Sequence, residues 1–535
     1  MPIKGSPAPP EQQSNPYLPV GPAPLVFEKF QGIKTSTTRP GVPDDNCFWM
    51  DGFFPIGPRA ARVIPDIGSS VWTVPAGTLL SFFGFFTIDT TADMLAFVSD
   101  GSVWVIHTDS GFPFQIAAPG TILNPSRLNV GFTQYGNQYV IIVANQADGY
   151  FIWDGATFYS PGDAFPAGGN LPTGLGGTTV ETYTGRVWVG NGSVISFSAP
   201  GSVVDFSSAS GGGNFASSDS FLRNRFVQLL QSNGFLYLIG DSSVNYISGV
   251  QTSAGSPPTT TFTNQNADPE VGSPWPGTVG VFGRNIILAN AFGAHVSYGA
   301  AVTKISEDLD GVYNTVPGFG GLLPSAAKAI VFGKKVWILL LPIVDPITNE
   351  QVNKLFIWNT KLWFSTNQSV NLIYIQAQEI DSVLTAWGTD GTNIYPLFQQ
   401  PSSAFAKTIQ SRFWDTPVGI QDVKMAVRLW GMAQYRSLVA PNITVSIDNE
   451  SGISNTTILG GPAGAFWFAG TAPVTWFSGI SLVTWFVNGG GSVNIFSPQS
   501  VGQTGVLLGF TASTLSPDMT LIALMMQPQI VDYRG

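Results

Sequence analysis

One turn keeps returning along this chain. Ser99-Asp100-Gly101-Ser102-Val103-Trp104 has relatives in Trp153-Asp154-Gly155-Ala156-Thr157-Phe158, Gly190-Asn191-Gly192-Ser193-Val194-Ile195 and Gly240-Asp241-Ser242-Ser243-Val244-Asn245. Trp358-Asn359-Thr360-Lys361-Leu362-Trp363 and Thr389-Asp390-Gly391-Thr392-Asn393-Ile394 follow, and each copy has apolar or aromatic residues on at least one flank. Asp-Gly and Asn-Gly supply the positive φ angles of a tight hairpin, and the flanks favour strands. The widest gap between copies leaves room for a degenerate one near Tyr298-Gly299-Ala300-Ala301. Hairpins recurring irregularly at this scale point to a β-propeller, whose blades are small antiparallel sheets around an axis. A β-sandwich is also made of hairpins and stays open as the alternative at this level.

Composition agrees with an all-β chain. Of 535 residues only 10% are charged, whereas 61 are Gly, 39 Pro, 15 Trp and 38 Phe. That is turn-dense and aromatic-rich, with too much core material for disorder. So little charge fits either a surface covered by partner subunits or an ordinary Ser/Thr/Asn/Gly surface. The net charge of −10 and the lack of a basic run argue against tight nucleic-acid binding. Cys47 is the only cysteine, which excludes an intramolecular disulfide and a cysteine-rich metal site; it reads as a small buried side chain. The N-terminal Met1-Pro2-Ile3-Lys4-Gly5 has no apolar core of a signal peptide. The most apolar stretch, Val336 to Leu341, stops at Pro342, far too short to span a bilayer, and reads as a buried strand; no membrane-spanning segment is expected.

Three regions are expected: an extended N-terminal arm over 1–26, a β-propeller over 27–400 and a further C-terminal β domain over 401–535. The arm is rich in Pro, Ser and Gln without a period. The middle is a run of short strands such as Tyr139 to Val143, Arg186 to Val189, Phe235 to Ile239 and Asn285 to Ala289. Pro324 to Ala329 reads as one helical turn, and Gly168 to Gly177 and Thr252 to Pro276 read as flexible loops. After Pro401, Val423 to Trp430 and Ile443 to Asp448 alternate as half-buried strands do. Packing of the N-terminal segment against this last domain stays open.

Convergent polar chemistry is scarce, and no catalytic, cofactor-binding or metal-binding residue is assigned. His107 follows a strand and His295 sits among small apolar residues; without partners in a recognisable triad, both read as structural. Glu307-Asp308-Leu309-Asp310-Gly311 lacks the further ligands of a calcium loop and reads as a turn or cap. The Asp100 turn resembles the aspartate turn of sialidase-type propellers, where the residue holds a hairpin and does no catalysis. The Asp100-Gly101, Asp154-Gly155 and Asp390-Gly391 turns are therefore structural candidates, and the chain is expected not to be an enzyme.

Four stretches, taken together, carry a family resemblance. They are Phe27-Glu28-Lys29-Phe30-Gln31-Gly32-Ile33 through Thr38-Arg39-Pro40 to Trp49-Met50-Asp51-Gly52-Phe53-Phe54-Pro55; Gly185 to Val189 with Phe197 to Phe206; Gly234 to Leu238 with Asp241 to Tyr246; and Gly283 to Asn290 with Lys304 to Gly311. The set resembles the tail nozzle proteins of short-tailed bacteriophages, also called tail tubular or packaged-DNA stabilisation proteins. The resemblance implies a structural virion protein of the phage tail, assembled in the bacterial host cytoplasm as a homo-hexameric ring. Such a ring lies below the head–tail adaptor and portal complex, carries tail fibres or spikes, retains genomic dsDNA without sequence-specific binding and passes it during ejection. An acidic or neutral lumen agrees with a conduit that must not grip phosphate, and the Thr252 to Pro276 loop is a candidate gate. The alternative reading is a receptor- or glycan-binding, or glycan-cleaving, propeller on the tail.

Overall fold

The recurrent turn forms because its first side chain replaces the missing backbone partners. Asp100 Oδ1 accepts hydrogen bonds from the Ser102 N–H at 2.9 Å and the Ser102 hydroxyl at 2.6 Å. Asp390 Oδ1 accepts from the N–H groups of Thr392 and Asn393, while Tyr395 donates its hydroxyl to Oδ2. Asp154 repeats this arrangement with Ala156, Thr157 and Tyr159. Gly101 has φ +87°, and a Cβ there would lie 2.5 Å from the Ile122 carbonyl, so only glycine fits.

In the computed structural model, residues 23–533 are described apart from 89–90, 109–111, 217–225, 299–300, 314–322, 381–382, 416–421, 436–441, 460–491 and 497. The extended arm expected over 1–26 falls almost wholly outside the described residues. The hairpins build blades of four antiparallel strands: 80–117, 130–159, 179–216, 226–268, 280–304, 325–366, and 374–396 completed by the strand Trp72–Thr73. That last strand pairs with Asn393 and Ile394, so chain from before blade one closes blade seven. The protein is an all-β chain with a seven-bladed propeller.

The blades seal to one another through side chains that alternate between two interfaces. In Tyr139–Ala144, Val140 and Ile142 pack with blade one, whereas Ile141 and Val143 pack with blade three. In Asn285–Asn290, Ile286 and Leu288 face blade four while Ile287 and Ala289 face blade six. Burial on both faces is why these strands read as continuous apolar runs instead of alternating ones. Connectors between blades lie along the turns joining second and third strands: the N–H of Gly120 bonds Asp100 O, that of Gly177 bonds Ala144 O and that of Ser273 bonds Gly240 O.

The structure moves the start of the propeller. Sequence placed it at 27, but the strands Leu25–Phe27 and Ala61–Val63 pair with Met519–Tyr533, and Phe53–Pro55 pairs with Ala61–Val63. These N-terminal strands belong to the C-terminal domain, and the propeller begins at Trp72. Aromatic strand text looks the same in either domain; pairing decides. Trp49–Asp51 makes the join, running parallel to Trp363–Thr366 of blade six and antiparallel to Lys407–Trp414 of the second domain. One nine-stranded sheet therefore runs from blade six to the strand Ser454–Leu459. Two local expectations also change. Pro324 to Ala329 lies mostly in the strand Ser325–Val331, its alanines buried between blades, and Thr252 to Pro276 contains Thr260–Asp268, the outer strand of blade four. This segment is therefore not a loop without structure of its own.

A buried ionic cluster locks the join. Lys354 Nζ lies 2.7 Å from Asp51 Oδ2 and 2.6 Å from Asp345 Oδ2, with the ammonium fully buried. Ser365 donates its hydroxyl to Asp51 Oδ1, and the N–H groups of Ile347 and Thr348 reach Asp345 Oδ1. Burial opposes charge on both partners, but the two carboxylates outweigh it and raise the Lys354 pKa, while Lys354 and the backbone donors lower that of Asp345. A raised lysine stabilises below its unfolded value of about 10.4 and loses this above it; a lowered aspartate stabilises above about 3.9 and loses this as acid titrates it. Lys354→Met should destabilise the protein by about 3–5 kcal/mol, since it strands two buried carboxylates. Urea denaturation at neutral pH measures it, and the mutant's deficit should shrink below about pH 4.

Candidate functional site

The axis of the propeller and its two rims are the places where polar side chains from many blades meet. First strands of adjacent blades form the inner ring, joined by hydrogen bonds: Leu229 N–H to Thr179 Oγ1 at 2.8 Å, Ile375 N–H to Ser325 Oγ at 3.0 Å and Thr87 N–H to Gln134 Oε1 at 2.9 Å. The Thr133 hydroxyl donates to Glu181 Oε1 at 2.9 Å. Burial pushes the Glu181 carboxyl up, and the donors Thr182 N–H, Thr133 and Gln231 offset this only in part.

Arg127, in the connector between blades one and two, reaches into this ring. Its guanidinium donates to Val130 O at 2.9 Å and to Gln228 Oε1 at 2.7 Å, and it hydrogen-bonds the Tyr374 hydroxyl. Val130, Gln228 and Tyr374 lie on blades two, four and seven, so one side chain ties together three blades around the axis. Burial lowers the Arg127 pKa, with Tyr374 opposing. A duplex whose major groove alone is about 12 Å wide cannot thread an axis held together at this spacing.

The residues singled out in the sequence fall elsewhere, and the structure does not bring them together. His107, on blade one, has its Nδ1 2.9 Å from Asp93 Oδ1 of the neighbouring strand. His295, on blade five, is buried with Nε2 unpartnered among the described residues; burial and then Lys304 lower its pKa to about 4, Asp268 opposing. Cys47 is buried and its thiol pushed up by burial. In the acidic turn, Asp308 pairs with Lys34 at 3.0 Å and Asp310 with Lys304, and the segment forms a short helical turn. Among the described residues no group of three or more His, Cys, Asp or Glu side chains is placed to hold a metal ion, and no helix is long and apolar enough to cross a membrane. A cleft of about 780 Å³ opens at the domain join, lined by Thr35 to Arg39, Phe48, Asp310 to Val312 and the Val344 to Asn349 turn. Arg39 at its wall is committed to structure, with an ion pair to Asp448 at 2.7 Å and a hydrogen bond to Ser411 O.

These features build a closed, polar axis and a rigid join. Sequence reading missed Arg127, which sits in a connector without any motif. It also missed Lys354, which sits at the polar edge of the apolar run Leu355-Phe356-Ile357-Trp358, after Asn353, where a lysine reads as exposed.

No family model matches the chain, and no curated protein matches it in sequence. Solved structures do resemble it. The N-terminal domain of BBS1, crystallised in complex with ARL6, is 11% identical, covering 62% of this chain and 98% of that one with a TM-score of 0.37. BamB from Moraxella catarrhalis is 13% identical, covering 65% and 96% with a TM-score of 0.33. Raptor of Chaetomium thermophilum is 9% identical over 63% and 30%, with a TM-score of 0.38. Likenesses this distant carry no argument about function.

Two outcomes follow from this geometry. Arg127→Met should lower the unfolding free energy by about 1–3 kcal/mol in urea titrations, because Gln228 and Tyr374 lose their partner. His295 is held neutral in the fold, so stability is intact above the unfolded value of about 6.5 and falls as pH drops towards about 4. Thermal denaturation between those limits should show a shallower pH dependence in His295→Gln than in the native chain.

Proposed function

We propose that this chain is a structural subunit of a phage tail nozzle, working by assembly into a ring of six copies around the path of the genome, and not by catalysis. The observation that supports this reading is where the family-like stretches meet. The first and the last meet at the join, through residues 273 and 274 positions apart. Thr35 N–H donates to Asp308 O at 2.7 Å, Lys34 pairs with Asp308, and a Cβ at Gly311 would lie 2.1 Å from Thr35 O. Two of the four stretches therefore share a contact surface, through Lys34 and Thr35 in the link that follows Ile33.

The blocked axis shapes this reading. DNA would pass between copies, through the lumen that the ring encloses, and each propeller would be a solid wall element. A lumen lined by a chain of net charge −10 repels phosphate and lets the genome slide. The adaptor and portal above and fibres or spikes around the ring complete the assembly, in the virion tail.

Negative-stain electron microscopy of the purified chain beside intact virions tests this. Six-fold rings matching the distal end of the tail tube are expected. A persistent monomer or trimer with no place on the tail axis would overturn the reading, and glycan binding and hydrolysis would then be the assays to run.

A further inference from the structure

Two faces of the propeller carry complementary features that nothing above uses. On the connector face, Phe292 stands in the turn between the second and third strands of blade five and is 79% exposed, more than any other large hydrophobic residue among those described. Exposed Glu307 follows Ser306, whose hydroxyl accepts from the Ala294 N–H beside this turn. Exposed Glu270 lies two residues before Gly272, whose carbonyl accepts from Asn290 Nδ2. Neither glutamate forms an ion pair among the described residues. An apolar knob is thus flanked by two free carboxylates.

The opposite face holds a groove. It lies between blades six and seven, about 330 Å³ in volume, lined by Ala329, Ile330, Val383, Leu384, Leu397 and Phe398. Ile330 is 44% and Val383 59% exposed. Both flank turns between first and second strands, which in an antiparallel blade lie at the end opposite the second-to-third turns. Ile330 pairs across the strands with Lys335, which is exposed without an ion pair among the described residues, whereas Lys334 points to the other face of the sheet and holds its ammonium 5.5 Å from the Phe54 ring centre. Burial and then Lys335 lower the pKa of Lys328 on the same strand as Ile330, Glu379 opposing, so this edge carries charges of both signs. The groove is mostly apolar, with Thr385 and Gln399 also in its lining, and its rim carries Lys335 on blade six and the exposed Glu379, paired with Leu384, on blade seven.

We propose that Phe292 of one copy seats in the groove between blades six and seven of a second copy, with Glu270 and Glu307 turned towards Lys335. Knob and groove match in polarity and in size, since the groove accepts one large ring, and Lys335 at its rim offers the charge opposite to that of Glu270 and Glu307. The patches differ, so the contact is heterologous: it closes into a ring if the rotation closes, and otherwise grows as a filament. A single exposed aromatic seated in a pocket and ringed by charge is the anatomy of an interaction hot spot. This deepens the ring reading and rests on it only for the number of copies.

Sedimentation velocity and mass photometry over a concentration series test the proposal on the full chain. Phe292→Ala, Val383→Glu and Lys335→Glu should each raise the concentration for half-association by about tenfold or more. Raising salt from about 0.1 M to about 0.5 M should weaken the native contact. Adding Glu270→Lys and Glu307→Lys to the lysine-reversed chain should restore association. All these positions are exposed, and far-ultraviolet circular dichroism confirms that each variant keeps its fold. Association unchanged in Phe292→Ala and Val383→Glu, a failed charge swap, or a native chain that stays monomeric throughout would overturn the contact. Six-fold rings that persist in the variants would overturn it and leave the nozzle reading standing. Filaments or other non-six-fold assemblies that the variants abolish would support the contact and overturn the ring.

Discussion

Everything beyond the propeller depends on three residues, Trp49–Asp51, accepted as a strand by two domains at once. Their backbone pairs with blade six on one side and with Lys407–Trp414 on the other. Asp51 places a carboxylate on Lys354 of blade six, while Trp49 lies under the same ammonium, 5.3 Å from its ring centre. A buried lysine between two carboxylates is not an efficient way to gain stability, because desolvation consumes much of the Coulomb attraction. What it does well is specify: no other register of this strand supplies an acid where the buried amine requires one.

The join has a mechanical consequence. Separate domains on a linker move freely, whereas a continuous nine-stranded sheet and one shared hydrophobic core transmit load. Arg39 reinforces it from the N-terminal side, reaching Asp448, Ser411 and Phe510 of the second domain and stacking on Phe413. The proposed ring role would call for this stiffness, and so would any other scaffold under load. The closed axis fits the same pattern, since Arg127 and the inner-strand hydrogen bonds use the channel polarity to hold blades together and leave no passage.

Much of the architecture was legible in particular residues. The Asp-Gly turns announced hairpins because an aspartate side chain and a positive-φ glycine leave the backbone few other choices, and Asp100, Asp154 and Asp390 each do what their local sequence dictates. The run Val336 to Leu341 was recognisably a buried strand. Pro324 to Ala329 misled because alanine favours helix in isolation; tight packing between blades, where only small side chains fit, overrode the propensity. Thr252 to Pro276 misled because Ser, Thr and Asn serve equally in a loop and on the exposed face of an outer strand.

The site was far less legible than the fold. Phe292, Lys335 and Val383 are unremarkable in the text of the chain, and Arg127 sits in a connector with no motif around it. Local sequence by itself determined the hairpins, the apolar strands and the all-β class, because turn geometry and strand alternation act over a few residues. Tertiary structure alone decided that the propeller begins at Trp72 and has seven blades, that Trp49–Asp51 belongs to two domains, and which side chains reach the axis or a rim. Those outcomes depend on ring closure and on pairings between residues hundreds of positions apart, and no local preference encodes either.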